Sequence, residues 1–437
     1  MASSPITDVA IIGCGLSGLC VALVLRSYSI PCTIYEKRST HRQGGSISLF
    51  PNSLRILDSL GVYQTIRAHG FPLSTSIIKD ESFQTIRTVQ VCDEARYGYP
   101  LLRIARDAIL DVLVAAARER GVEIYFDHRF VSIVPSADDA PPSEPITLTF
   151  TNAAPRSAAL VVGADGLRSR VRSVTPSFKS ADPQYVGQAL IAWSVPYAQL
   201  RYPVPLSEVP LGMAMIVRRG MVLFVPDDPS GKSVRVAVQL ALTHREFLAW
   251  KTLGGQRDKL LDILRNGGEQ GEKAADWEWP DLVASAIEIA EKDHDSIPIF
   301  LWPYFTIPTM ETWVAKTDKA VLLGDAAHVF PPTGAQGAGM AIEDAHGLGM
   351  ALAEAMTGTT DISLALAQWQ SWRRQRVQQV TEFSSQVNKS RVALASSGQD
   401  RGKAPAEQGF RDDMDWLYGW RSAEQWSLWK QQQEDKS

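Results

Sequence analysis

The sequence predicts an α/β fold: a βαβ start, interrupted by a β-rich unit and completed by C-terminal helices. Three observations predict it. The chain opens with a short β-branched run, a glycine turn, a helix-spaced segment and a second apolar run. From Gln184 to about Leu242 the pattern becomes strand-like, and helical texture then runs from Ala338 through Ser390.

Asp8-Val9-Ala10-Ile11-Ile12 is apolar and β-branched, the pattern of a strand buried on both faces. Leu16 to Ser27 has helical spacing, with Leu19, Ala22, Leu23 and Arg26 a turn apart, and Cys32-Thr33-Ile34-Tyr35 reads as the next strand. Leu110 to Arg120 is an amphipathic helix, followed by strands at Val122–Phe126 and Ile146–Phe150. Between those strands, Pro135 to Pro145 is rich in Pro, Asp, Ala and Ser and reads as an exposed loop. Met213–Val217 and Val234–Val238 belong to a second sheet, and Ala320–Leu323 is another buried strand. Polar Ser396–Glu407 reads as a tether to an aromatic tail, Trp416-Leu417-Tyr418-Gly419-Trp420, for which packing is the default.

Of the 437 residues, 45% are hydrophobic and 21% charged, enough to bury a sizeable core. A net charge of −4 offers no field for gripping a phosphate backbone, so nucleic acid is not expected as a partner. Four cysteines without a C-x-x-C pair point to a reducing compartment. Met1 to Thr7 lacks the basic start and apolar run of a signal peptide, and Val9–Leu25 is broken by Gly13, Gly15 and Gly18. No membrane span and a cytoplasmic location are therefore expected. The seven histidines show no metal-ligand spacing, and no metal is expected.

Three motifs carry chemistry. In Gly13-Cys14-Gly15-Leu16-Ser17-Gly18, the first glycine permits the tight turn, Gly15 lets the backbone approach a pyrophosphate, and Gly18 lets helix and sheet pack. The helix N-terminus, with Ser17 in its first turn, offers unpaired N–H groups to phosphates. Glu36, eighteen residues past Gly18 and followed by Lys37, stands where a carboxylate accepts ribose hydroxyls. This Rossmann-type pattern does not separate FAD from NAD. The second motif, Gly163-Ala164-Asp165-Gly166, follows the apolar run Leu160–Val162. The third is Gly324-Asp325-Ala326-Ala327-His328, followed by Pro331-Pro332 and Gly334-Ala335-Gln336-Gly337-Ala338-Gly339. Both place acid and glycine directly after a strand, where ligands gather in doubly wound folds.

In this order the three motifs resemble the single-component, FAD-dependent aromatic hydroxylases, the p-hydroxybenzoate and salicylate hydroxylase-like flavoprotein monooxygenases, in the branch found in fungal secondary metabolism. The resemblance covers Asp8 to about Arg376. It implies a Rossmann-like FAD-binding domain in three parts, residues 1–75, 100–180 and 296–390. A β-sheet substrate domain would be inserted at 76–99 and 181–295, with a tail at 391–437. It further implies that Gly13–Gly18, Glu36 and Lys37 hold the ADP half, that Asp165 lies near the pyrophosphate and the NAD(P)H approach, and that Asp325 binds the ribityl chain. Gly45 would approach the flavin, Arg106 would bind FAD, and Ala338 would present its backbone to the pyrimidine side. There the N-terminus of a helix beginning around Gly337-Ala338 would stabilise negative charge near N1 by about 0.3–2 kcal/mol.

Only one dinucleotide fingerprint is present, so NAD(P)H is expected as a transient co-substrate. Oxygen would then react through a flavin C4a-hydroperoxide with a hydrophobic, aromatic or indole-type secondary-metabolite intermediate. Hydroxylation, epoxidation and Baeyer–Villiger insertion stay open, as do monomer and dimer. Phenol-hydroxylating relatives often carry Arg in an Ala-Trp-Arg segment and a Tyr before Pro; here Ser194 and Val225 stand at those positions. Arg218, with Arg219, is the candidate replacement for a substrate-anchoring cation. Two rival classes are a non-oxygenating FAD reductase and a flavin-dependent halogenase. The latter is suggested by Trp277-Glu278-Trp279-Pro280, which lacks the halogenases' Ile-Pro spacing, with Lys79 as the nominal lysine. Glu343-Asp344 reads as structural, favouring the helix dipole.

Overall fold

Val9–Ile12 is buried at every position, which demands cover on both faces of its sheet. It sits in the middle of a five-stranded sheet whose order is Ala320–Leu322, Leu160–Gly163, Val9–Ile12, Cys32–Tyr35, Glu123–Tyr125. Every pairing in that sheet is parallel. Helix Leu16–Ser27 packs against two others, Arg106–Glu119 and Gly337–Met356. The computed structural model describes residues 8–42, 44–141, 144–178, 182–217, 220–241, 244–251, 257–266, 279–293, 297–330, 332–396 and 414–435.

A second, seven-stranded sheet runs in the order Phe300–Thr306, Gln184–Pro196, Ser233–Ala241, Gly220–Pro226, Met213–Val217, Thr75–Lys79, Thr85–Gln90. Helices Arg257–Asn266 and Asp281–Lys292 supply buried side chains to one of its faces. Trp193 is fully buried there and its indole N–H donates to Ala286 O at 3.0 Å. Strand alternation then turns Ser194 to the opposite face. A small sheet of Ser46–Leu49, Leu101–Ala105 and Gly70–Leu73 completes the frame that positions the site.

The expected strands and the first helix fall where periodicity placed them, but two readings need correction. The helix expected from Leu110 begins a turn earlier, at Arg106, with Asp107 in its acidic first turn. The helical texture expected from Ala338 is present as two helices, Gly337–Met356 and Ile362–Ser396, parted at Gly358 with φ +74°. The exposed loop expected at 135–145 is docked over residues 135–141: Ala137 and Ala140 are buried, and Asp138 accepts N–H groups of Ser177 at 2.6 Å and Lys316 at 3.1 Å. A short carboxylate that satisfies backbone donors holds such a loop against the body. Residues 397–407 of the expected tether lie outside the described residues. The aromatic tail packs on the body, with Tyr418 stacked on Phe50 at 5.0 Å. Among the described residues no helix is long and apolar enough to cross a membrane.

Candidate active site

Parallel strands in register end together. Ile12 pairs with Gly163, and Gly163 with Leu322, so the segments that follow these strands emerge side by side at the carboxyl edge of the sheet. They touch. Gly13 has φ +112°, and a Cβ there would lie 2.5 Å from the carbonyl of Ala164. Gly324 has φ +56°, and its Cβ would meet the Ser17 hydroxyl at 2.5 Å. The three glycine–acid turns, distant in sequence, thus form one cradle. Gly15 is the N-cap of helix Leu16–Ser27, with no side chain capping its amides. Glu36 is buried and locks the cradle to the second strand: Cys14 N–H donates to Oε2 at 2.9 Å and Arg38 N–H to Oε1 at 3.0 Å. Lys37, the next residue, is exposed.

The Asp165 carboxylate accepts from Arg170 N–H at 2.6 Å and Val171 N–H at 3.2 Å through Oδ2, while enclosed Oδ1 has no protein partner. Burial pushes its carboxyl upward. Asp325 is exposed to solvent at the strand end, although protein crowds its carboxyl. Burial raises its carboxyl too, against the opposing charges of His328 and Arg106. Arg106 N–H donates to Gly45 O at 2.9 Å, and its guanidinium lies 4.8 Å from the Trp302 ring centroid. Gly44 and Gly45 take φ +65° and +78°, with Phe300 and Trp302 of the second sheet 3.4 Å from where their Cβ atoms would stand. The turn that leads into Ser46–Leu49 therefore lies against the Phe300–Thr306 strand of the second sheet. Helix Gly337–Met356 starts against the helix that follows Ser46–Leu49, with Gly339 near Asn52 and Ser53: Gln336 at the N-cap makes no side-chain cap, Gly337 would place a Cβ 4.0 Å from Phe330, and Ala338 is half-buried. Both polar ends of the buried Gln336 side chain lack a protein partner.

Glu343 and Asp344 are structural, but the dipole is not the reason. Both are fully buried in an ion network. Arg373 reaches Glu343 and Asp344, each at 2.8 Å, and Arg376 reaches Glu343 at 3.3 Å. Asn52 donates to Glu343 at 2.7 Å, and His328 Nε2 lies 2.5 Å from Asp344. Asp344 also accepts Gly324 N–H at 3.0 Å, which ties the Gly324-Asp325 turn to the helix. Arg376 in turn donates to the tail carbonyls of Trp416 at 2.8 Å and Leu417 at 3.2 Å. Burial opposes ionisation of Asp344, but His328 and Arg373 hold its carboxyl at about 2. An unfolded Asp titrates near about 3.9, so this stabilisation is complete above that pH and is lost as pH falls toward about 2. Acid unfolding followed by circular dichroism should show a phase in that window that Asp344→Asn removes; an unchanged profile would refute it.

On the second sheet, Ser194 and Val225 both pair with Arg235, which stands in the strand between them. Arg235 makes a two-pronged contact with Asp227, at 2.8 and 3.1 Å, and Ser194 donates to the same carboxylate. Arg218 and Arg219, expected as the cation, lie outside the described residues, as do Trp277 and Glu278. Lys79 is nearly buried and donates to Phe83 O at 3.0 Å and Thr85 Oγ1 at 3.2 Å, a role in its own hairpin.

A family model described as FAD binding domain matches residues 6–384. The chain belongs to that family. The residues fit the group: the Gly13 cradle admits no Cβ, helices open on uncapped amides, and Asp165 keeps an orphaned acceptor. This FAD-family chain is 30% identical over 402 residues to hispidin-3-hydroxylase of Neonothopanus nambi, covering 86% of the chain and 87% of that protein. It is 30% identical over 426 residues to the 3-amino-4-hydroxybenzoate 2-monooxygenase PtmB3 of Streptomyces platensis, covering 95% and 96%. Among solved structures, CtdE with FAD and a substrate superposes with a TM-score of 0.77 at 18% identity, covering 98% of each chain. Klebsiella pneumoniae HpxO with FAD and uric acid gives 0.69 at 20% identity, covering 96% and 93%. The FAD-family chain is an FAD-dependent monooxygenase of the aromatic hydroxylase type.

Proposed function

We propose that this enzyme uses NAD(P)H and O₂ to oxygenate a hydrophobic aromatic or indole-type intermediate of secondary metabolism. One observation carries the substrate class. In register across the face of the second sheet that carries Ser194 stand Phe300, Ala192, Ala237, Leu223, Ala214 and Ile78, an apolar row with small residues near its centre. Phe300 at one end abuts Gly44, beside the cofactor cradle. Such a floor takes a flat ring and excludes water from it.

When bound, FAD accepts electrons from the nicotinamide and activates oxygen. The chain's own residues do the rest. The Gly13–Gly18 turn and Glu36 hold the ADP half, and Asp165 stands by the pyrophosphate. Asp325 takes the ribityl hydroxyls, supported by Arg106. Backbone amides at Gly337 and Ala338 favour negative charge at the pyrimidine side, with Gly45 leaving room for the ring. Asp325→Ala should weaken FAD retention about tenfold or more, read as flavin released on dialysis; full occupancy would remove that role. The reading as a whole is tested by NADPH oxidation with candidate aromatic substrates in halide-free buffer under ¹⁸O₂. One labelled oxygen per product is expected. Turnover without label, or only with halide, would overturn it in favour of a reductase or a halogenase.

A further inference from the structure

Arg103 lies in the strand Leu101–Ala105, three residues before Arg106, and pairs with Ser48 of the strand that follows Gly44-Gly45. Its guanidinium donates to Ser48 Oγ at 3.2 Å and Ser46 Oγ at 2.8 Å, both neutral. Its Nε is enclosed and has no protein partner. Among the described residues no carboxylate stands within ion-pair distance of it. The charge that reaches it most strongly is Asp227, on the opposite sheet, and that carboxylate is already gripped by Arg235. Although burial opposes its ionisation, Arg235, Ser194 and Arg103 keep the Asp227 carboxyl below its ordinary range. Burial pushes the Arg103 guanidinium down to about 10, so it remains a cation at neutral pH. Arg235 lies 5.9 Å from the centre of the Phe300 ring, which abuts Gly44 at the start of the strand that Arg103 holds, so two guanidinium groups share Asp227; Arg106, the other cation that reaches Arg103, has Asp107 and Asp325 facing it, and one positive charge is left over beside the apolar floor.

We propose that Arg103 and Arg235, with only Asp227 between them as counter-charge, form a subsite for an anionic oxygen on the substrate ring. The inference rests on the oxygenase reading and narrows it. Covering an excess half-buried cation with a neutral ring costs desolvation that nothing returns, whereas an ionised ring hydroxyl or a carboxylate supplies the missing charge. Ser194 and Val225 do not abolish anion recognition: the cation comes from the strand between them and from the cofactor side. Neutral indoles are the disfavoured substrates.

The test uses the FAD-loaded protein and the perturbation of its flavin absorption. Benzoate is compared with benzamide, and 4-cyanophenol, at a pH where it is ionised, with 4-methoxybenzonitrile. An anion should bind about tenfold or more tightly than its neutral counterpart. A benzoate preference assigns a carboxylate, and a cyanophenol preference a ring hydroxyl. Arg103→Gln should erase that preference, leaving the neutral probes within about twofold, and Asp227→Asn should tighten the anion about threefold or more. A site that is merely structural would lose both probe types in Asp227→Asn. Equal binding of anions and neutrals to the wild type, or no binding of either anion, overturns the subsite even if a variant fails to fold. Failure to take up FAD or to incorporate labelled oxygen would instead strike the functional reading first.

Discussion

Replacing Arg373 by Met is expected to destabilise the protein by about 3–5 kcal/mol and to release FAD from the fraction that still folds. The Arg373 side chain is fully buried and pairs with two carboxylates that are themselves inaccessible to water. A buried pair adds little over an apolar replacement of both partners, but removing one partner leaves a charge that water cannot reach. Glu343 keeps Arg376 at 3.3 Å and Asp344 keeps His328, so the loss should be less than that of two bare carboxylates. The damage is transmitted because Asp344 accepts Gly324 N–H: whatever moves Asp344 moves Asp325. Urea unfolding by circular dichroism, run beside flavin release, measures both effects. A single-variant cost below about 1 kcal/mol with flavin retained would mean that the network is dispensable.

Gly13→Ala should yield a folded chain that is nearly free of FAD. Its φ of +112° disfavours any side chain, and the added methyl would stand 2.5 Å from one backbone atom and 2.9 Å from another, both of Ala164. Backbone cannot swing aside as a side-chain end can, so the turn must open, at a cost of about 1–3 kcal/mol for overpacking with backbone strain added. Opening it separates the first glycine turn from the Asp165 segment. Gly121 supplies the control, with φ +74° and nothing within 4 Å of its would-be Cβ. Gly121→Ala suffers the backbone strain alone and should keep its flavin. Flavin-to-protein absorbance ratios of the two purified variants decide the matter; equal ratios would refute the cradle.

What the sequence made legible was local. Val9–Ile12 is apolar throughout, and Cys32–Tyr35 is so except at Thr33, because both faces of the parallel sheet are covered, and such runs announce themselves without knowledge of their neighbours. The glycine–acid turns were legible for the same reason, since each is a strand end with its own turn chemistry. The buried charges were not. Arg373 and Arg376 sit in a polar helix that gives no sign of burial, because their partners lie about thirty residues earlier and face them only once two helices pack. Arg235 had a faint signal, a lone cation flanked by Val234 and Val236 in an alternating strand, but Asp227 meets it only across a hairpin. Arg103 carries no signal of its own, because its partners Ser48 and Ser46 stand 55 and 57 residues earlier and meet it only when the strands pair. The Pro135–Pro145 segment misled because composition reports loops and says nothing of docking, which depends on Ser177 and Lys316.

The tail gives this arrangement a direction in time. Arg376 gives two of its donors to the carbonyls of Trp416 and Leu417 and lies 4.0 Å from the centre of the Trp420 ring. Those residues leave the ribosome after every strand of the parallel sheet has been made. Until they emerge, the nascent chain holds an arginine beside Glu343 with its outer donors open to water. The body can collapse early, but the last lock on the cofactor helix closes only when synthesis has passed Trp420. Translation arrest before that point should leave a nascent enzyme that exchanges flavin freely.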